Sequence, residues 1–297
     1  MSVQRERTEW VPDGHEFALC LTHDIDRPYK TYQSLFYALT RRDPSHLLDI
    51  APSRTPYWTF DDLLDFEREQ GVRSAFYVLD EQSLFTDRSP REWLTMTGWQ
   101  LYAGRYDIED ERIRDLLETL RSGGWEVGLH GSYESVDDRE RLRSEKAHLE
   151  SVLGEPVLGG RQHYLRLERP ETWEHYRAIG LQYDATLGSP TEYGFTDGYR
   201  PFRPFDDDFV VFPLTVMEAA LPDPAASFDR AWAACAALLD EAEANGAVMT
   251  VLWHPRYFSR DHPGYGRLYR RLVRAALDRG AWVGAPGELY TACVGTR

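Results

Sequence analysis

Short apolar runs alternating with amphipathic stretches organise this chain. The runs at 19–21, 72–78, 125–129, 157–160, 181–183, 209–214, 248–253 and 281–284 are brief and rich in Val, Leu and aromatics, the pattern of buried strands. Between them apolar residues return at helical spacing. Thr59 is expected to open a helix through Glu69, with Asp62 three residues on, Leu63, Leu64 and Phe66 on its apolar side, and Gly71 closing it. Ile113, Leu116, Leu117 and Leu120 predict a helix over 109–121, ended by Gly123-Gly124. Further helices are predicted over 137–153, 170–179, 227–245 and 265–279, stopped by Gly154, Gly180, Gly246 and Gly280. Strand and helix in turn favour βαβ units and a parallel sheet. No repeat, low-complexity tract or linker divides the chain. It reads as one domain over 16–297 behind an N-terminal extension, 1–15.

Two segments interrupt the alternation. Residues 29–58 and 80–108 are too long for ordinary connections, and long loops at a barrel rim usually shape the substrate site. They carry Tyr32, Phe36, Tyr57, Trp58, Trp93, Trp99, Tyr102 and Tyr106. Such aromatics either stack on the C–H faces of sugar rings or pack the loops onto the barrel.

Composition narrows the field. A net charge of -15 disfavours nucleic acid and anionic membranes, which would repel the chain. Only Lys30 and Lys146 among 34 cations are lysine, which suits either a salt-adapted proteome or a GC-rich genome. Cys20, Cys235 and Cys293 are odd in number and far apart; Cys20 and Cys235 read as buried small hydrophobes. The first fourteen residues are charged and lack the apolar core of a signal peptide, and no apolar stretch approaches the roughly 20 residues of a membrane helix. A soluble cytoplasmic protein is expected.

The chemistry gathers at strand ends. Thr22-His23-Asp24-Ile25-Asp26, His130, Arg161-Gln162-His163, Asp184 and His254-Pro255 each follow a predicted strand. In a parallel β/α barrel those ends converge on one rim, where the active site lies. Asp24 and Asp26, two apart, share a face and could share a metal or divide into base and ligand, whereas His23 should point away. An Asp-rich strand end also serves as a cap or turn. His130 is a candidate zinc ligand, although single histidines are more often structural. Arg161 could hold a carboxylate bidentately and keep it ionised as a base. His254 could act as an acid if Asp184 bonds its other nitrogen; Asp184 could equally be a turn former. His15, His46, His148, His175 and His262 lack such placement and read as surface. Nucleophile-elbow, P-loop and dinucleotide fingerprints are absent from the sequence.

Together these motifs resemble the polysaccharide deacetylase (NodB-homology, carbohydrate esterase family 4) superfamily. Thr22-His23-Asp24-Ile25-Asp26 is similar to its Thr-Phe-Asp-Asp-Gly motif, Gly128-Leu129-His130-Gly131-Ser132 to its metal-histidine motif, and Arg161 to the arginine of its Arg-Pro-Pro-Tyr segment. Tyr183-Asp184 and Leu252-Trp253-His254-Pro255 match its late motifs, in order from about Glu16 to Gly284. Ile25 separates acids that are adjacent in the family. Glu134 replaces the second metal histidine, and His163 replaces part of the arginine segment. The chain thus resembles a divergent branch, in which Gly194-Phe195-Thr196-Asp197-Gly198 and Pro201-Phe202 also fit.

The resemblance implies a single distorted (β/α) barrel of the NodB/polysaccharide deacetylase type. It implies a metal-dependent hydrolase that removes an N-acetyl or other acyl group from a sugar or glycan precursor. Asp24 would be the base, Arg161 its holder and His254, with Asp184, the acid; Asp26, His130 and His163 would bind a divalent metal, zinc. Two rivals remain. A metal-poor amidohydrolase on the same barrel is favoured by the missing motif histidine. A non-catalytic glycan-binding protein is disfavoured by the joint presence of Asp24, Arg161 and His254.

The charge generates one prediction. Screening shortens from about 10 Å at 0.1 M salt to about 3 Å at 1 M, so repulsion among surface carboxylates should weaken and Tm should rise between those KCl concentrations. A flat Tm would assign the composition to codon usage.

Overall fold

The computed structural model describes residues 9–31, 33–50, 55–81, 94, 101 and 105–294. Among the described residues nine strands form one sheet: β1 (Ala18–Ile25), β2 (Ala75–Leu79), β3 (Glu126–Gly131), β4 (Gly159–Gln162), β5 (Tyr183–Asp184), β6 (Val210–Val211), β7 (Leu214–Met217), β8 (Val248–Leu252) and β9 (Trp282–Gly284). All pairings between them are parallel, in the order β6-β5-β4-β3-β2-β1-β8-β7. Strand β8 takes one edge of β1 over 18–22, so β9, paired to 18–20, and β2, paired to 22–25, share the other.

The two ends of this order are neighbours in the chain. Only Phe212 and Pro213 separate β6 from β7, a connection of roughly 10 Å at most. The sheet must therefore curl until its edges meet. The run 209–214, expected as one strand, is this seam: its first part pairs β5 and its continuation pairs β8. Leu214 N–H donates to Leu187 O across it at 2.7 Å. The result is the expected distorted (β/α) barrel.

Helices cover the outside: α1 (Gln33–Thr40), α2 (Phe60–Gln70), α3 (Glu111–Ser122), α4 (Arg139–Leu153), α5 (Glu171–Ala178), α6 (Phe228–Asn245), α7 (Tyr265–Asp278) and α8 (Pro286–Val294). Asp110, Asp138 and Ser227 cap α3, α4 and α6 through side-chain bonds to backbone N–H groups. Thr59 precedes α2 but does not cap it; its hydroxyl donates to Pro255 O at 2.6 Å, tying the helix start to the loop after β8. Helix α1 and a 3-10 turn, Pro44–Ile50, occupy part of the first long connection, which the sequence did not reveal.

Alternation along the strands separates two cores. Leu19, Leu21, Phe76, Val78, Val127, Leu129, Met249 and Val251 face outward and pack with Ile113, Leu116, Leu117 and Leu120 of α3 and with α6 and α7. Ala18, Cys20, Ala75, Tyr77, Tyr183, Phe212 and Val248 fill the interior, joined at its base by Leu289 and Tyr290 of α8 and by Trp10. Cys20 and Cys235 are buried, as expected.

The interior rings need missing side chains opposite them. A Cβ at Gly128 would lie 2.7 Å from the Tyr77 ring, and one at Gly159 2.2 Å from the Tyr183 ring. Gly159→Ala should therefore destabilise the barrel by about 1–3 kcal/mol through overpacking, read as a lower midpoint in urea. An unchanged midpoint would show that the interior has slack.

Candidate active site

Positions 18, 20, 22, 24 and 26 climb the inner face of the first strand, from the apolar floor to the carboxylates at the rim. His23 on the opposite face points away, as expected. Its Nδ1 lies 2.5 Å from Trp253 O and its Nε2 3.1 Å from Glu67, among buried groups under the helices.

Arg161 sits fully buried above the Tyr77 ring, its guanidinium carbon 4.9 Å from the centroid. Its Nη1 donates to Thr22 Oγ1 and to Asp24 Oδ1, both at 2.8 Å, and its Nε to Ala185 O at 2.8 Å. Burial alone would raise the Asp24 pKa. Arg161 foremost, with His130 and His254, outweighs that and holds the carboxyl below its usual range. Asp24 is thus an ionised carboxylate in a nearly dry setting.

His130 stands beside it. Its Nδ1–H donates to Arg161 O at 2.9 Å, which turns Nε2 toward Asp24 Oδ2, 3.6 Å away. Burial pushes this imidazole down to about 4, against the pull of Asp24. It is therefore neutral near pH 7 with its Nε2 lone pair on the site.

Across the mouth, His254 Nδ1 donates to Glu218 Oε1 at 2.7 Å, and Glu218 Oε2 also accepts the His254 backbone N–H. Glu218 is completely buried. His254 Nε2 faces Asp26 Oδ2 at 3.8 Å. Arg256 bonds Asp26 Oδ1 through Nη1. Burial would raise the Asp26 pKa, but Arg256 first, then His254, Arg27 and His163, hold it well below the carboxylate range.

His163 follows Gln162 at the end of β4. Its ring centroid is 5.1 Å from that of His130. Its buried Nδ1 has no hydrogen-bond partner and lies 3.6 Å from Glu81 Oε2. The next residue, Tyr164, has φ 59° and ψ 19°, a left-handed conformation uncommon for a ring-bearing residue and often found at functional sites. Tyr164 is half exposed, 4.4 Å from the His163 ring and edge-on to Tyr133 at 5.7 Å.

Six of the seven expected site residues thus gather at the rim. The seventh is a correction. Tyr183 faces the barrel interior, so Asp184 faces outward, toward α5. Its carboxylate accepts from Trp173 Nε1 at 2.9 Å, from Thr186 N at 3.0 Å and from the Thr186 hydroxyl. Burial raises it to about 6. The partner of His254 is Glu218, one residue beyond β7.

The expected zinc set also needs correction. His130 offers a bare Nε2, and His163 has an orphaned nitrogen. Asp26 does not join them: Arg256 occupies Oδ1, and Oδ2 faces His254. Among the described residues no three His, Cys, Asp or Glu side chains form a group that could hold a metal ion. The donors present do not fit the three-ligand site. Glu134, in the place of the second metal histidine, is half exposed and lies 3.9 Å from Arg166.

The aromatic loops are mixed. Tyr57 and Tyr106 are core residues; the Tyr106 hydroxyl donates to Ile25 O at 2.6 Å. Trp58 packs partly buried against Tyr29 and Phe60. Tyr32, Trp93, Trp99, Tyr102 and the Phe36 side chain lie outside the described residues. His46, expected at the surface, is buried against Lys30 Nζ at 2.7 Å, and half-buried His262 stacks on Tyr257.

The sequence reading missed Glu218, Arg256 and Glu81. Arg256 had a signal, two residues past a strand-end histidine. Glu218 lay beyond a strand thought to stop at Leu214, so no motif marked it.

No family model matches the sequence, and no curated protein does. Solved structures do. A Mycobacterium smegmatis protein assigned as a polysaccharide deacetylase is 18% identical over 96% of this chain and 92% of its own, with a TM-score of 0.63. The PuuE allantoinase is 14% identical over 99% and 95%, with a TM-score of 0.65. A Pseudomonas aeruginosa PAO1 protein assigned as a polysaccharide deacetylase is 14% identical over 98% and 95%, also at 0.65. At these identities the likeness is one of fold, and the fold is the distorted (β/α) barrel that the motifs implied.

The site makes one spectroscopic prediction. In an NMR pH titration His130 should titrate near 4. In Asp24→Asn it should titrate lower still, since the Asp24 charge favours the imidazolium. A midpoint near 6.5 would mean the ring is solvated and the cluster is not as described.

Proposed function

We propose that the protein hydrolyses an amide bond, with Asp24 as general base and His254 as general acid, and that its substrate is an N-acylated sugar or glycan precursor. The observation that carries this reading is a pair of separately wired groups facing one mouth: Asp24 fixed by Arg161, and His254 fixed by Glu218. Base and acid roles need such a division. The similar folds include polysaccharide deacetylases and an allantoinase, hydrolases of amide bonds. The half-exposed Tyr164 beside His163 offers a face on which a sugar ring can stack.

In this mechanism a water between Asp24 and the acyl carbon loses a proton to Asp24 as the C–O bond forms. His254, with Glu218 on Nδ1, gives the Nε2 proton to the leaving nitrogen as the C–N bond breaks. The products are a carboxylic acid and an amine; the proton gained by Asp24 balances the one given by His254. Arg161 directs Nη1 to Thr22 and Asp24 and Nε to Ala185 O, and serves to orient the base.

Acetate release from N-acetylglucosamine oligomers tests the roles. Asp24→Asn and His254→Ala should each lower kcat/KM by roughly two to four orders of magnitude with an unchanged circular dichroism spectrum. Near-normal turnover in either would remove that residue from its role.

The depressed Asp24 pKa fixes a pH dependence. The base stays ionised through the ordinary carboxylate range, so activity should persist through that range as pH falls and be lost only below it. Arg161→Met should move this acid limb to higher pH, because burial would then lose its largest opponent. An acid limb that ignores the substitution would detach Arg161 from the base.

A further inference from the structure

An attacked amide places negative charge on its carbonyl oxygen, and catalysis needs a fixed positive group there. The barrel rim supplies two arginines bound to its acids. Arg161 is wholly buried beneath Asp24. Arg256 is different: its side chain keeps 16% exposure, it bonds Asp26 through Nη1, and it lies two residues after His254 on the 3-10 turn Pro255–Phe258. Asp26 therefore has the guanidinium on one oxygen and the His254 ring facing the other at 3.8 Å. The acid and a lasting cation sit on two sides of one carboxylate, at the mouth.

The same pairing explains why the expected metal set fails to assemble. Each rim carboxylate already has a cation, Asp24 with Arg161 and Asp26 with Arg256. A divalent ion on Asp26 would have to displace a guanidinium or lie against it. The two unused nitrogen donors, His130 Nε2 and His163 Nδ1, are left without a carboxylate free to complete a site.

Resting on the amide-hydrolase reading, we infer that the Arg256 guanidinium occupies the place of a catalytic divalent cation: it receives the charge that develops on the acyl oxygen, and Asp26 is the positioning residue that holds it. Arg256 carries its charge at every working pH and donates from a planar fork, which suits a carboxylate on one side and an oxyanion on the other.

Titration calorimetry with zinc chloride alone tests this without a substrate. Wild type should show no stoichiometric tight site. Arg256→Ala, which frees Asp26 beside His130 and His163, should bind zinc at least about tenfold more tightly, and His130→Ala in that background should abolish the gain. Arg256→Gln, closer in size, serves if the alanine variant melts early. Tight stoichiometric zinc in wild type overturns the inference, and so does a variant that gains nothing. In turnover of N-acetylglucosamine oligomers, Arg256→Lys should lower kcat more than it raises KM, and dipicolinate should leave wild type unaffected. Inhibition by dipicolinate that zinc reverses would overturn the arginine's role while leaving Asp24 and His254 as base and acid. Absence of turnover by wild type on any N-acylated sugar tested would instead sink the hydrolase reading and leave the zinc result standing.

Discussion

The base side of the rim depends on a guanidinium buried inside the barrel, since both Asp24 and His130 bond to Arg161. Arg161 has no exposure, so its charge must be met by partners rather than water. Asp24 and Thr22 meet it from β1 and the Ala185 carbonyl from the end of β5, and its own carbonyl orients His130. Removing one partner of such a buried pair typically costs about 3–5 kcal/mol, because the survivor stays charged and unpaired. The arrangement therefore has little freedom. It fixes which oxygen of Asp24 is spent and which faces the mouth, and it keeps that carboxylate ionised.

The floor beneath makes this burial possible. Tyr77 and Tyr183 fill the interior because Gly128 and Gly159 leave room for their rings, and Arg161 stacks on the first of them. A chain of hydroxyls runs down from there: Tyr77 to Tyr183 at 3.0 Å, and Tyr183 to Glu126 at 2.6 Å. Above Arg161 the pattern changes from packing to charge. Asp24 and Asp26 carry one guanidinium each, and His254 carries Glu218. Two separately held units thus face each other at the open end of a buried interior, the arrangement on which the proposed amide hydrolysis rests.

Much of this was legible because strands alternate. The rule that put Asp24 and Asp26 on one face and His23 on the other held, and the strand-end placement of His130, Arg161 and His254 followed from the parallel β/α pattern. Applied to Tyr183, the same rule turns Asp184 outward, and the motif match masked it. What could not be read were pairings across the fold: Glu218 meets His254 from 36 positions away, and Arg256 meets Asp26 from 230. Such contacts are set by the pairing of β8 with β7 on one side and with β1 on the other, strands distant in sequence, which periodicity does not encode. The aromatics divided for a similar reason. Tyr57 and Tyr106 became core because the loops carrying them fold back, while exposed Tyr164 stands on a backbone conformation that no residue pattern announced.

Non-additivity between Asp24 and His254 tests the central claim most directly. If base and acid act on one bond, kcat/KM of the double variant Asp24→Asn/His254→Ala on N-acetylglucosamine oligomers should fall little below that of the worse single variant, since a unit already broken has little more to lose. Losses that multiply in the double variant would contradict the account, because they would show two residues contributing independently rather than one catalytic pair.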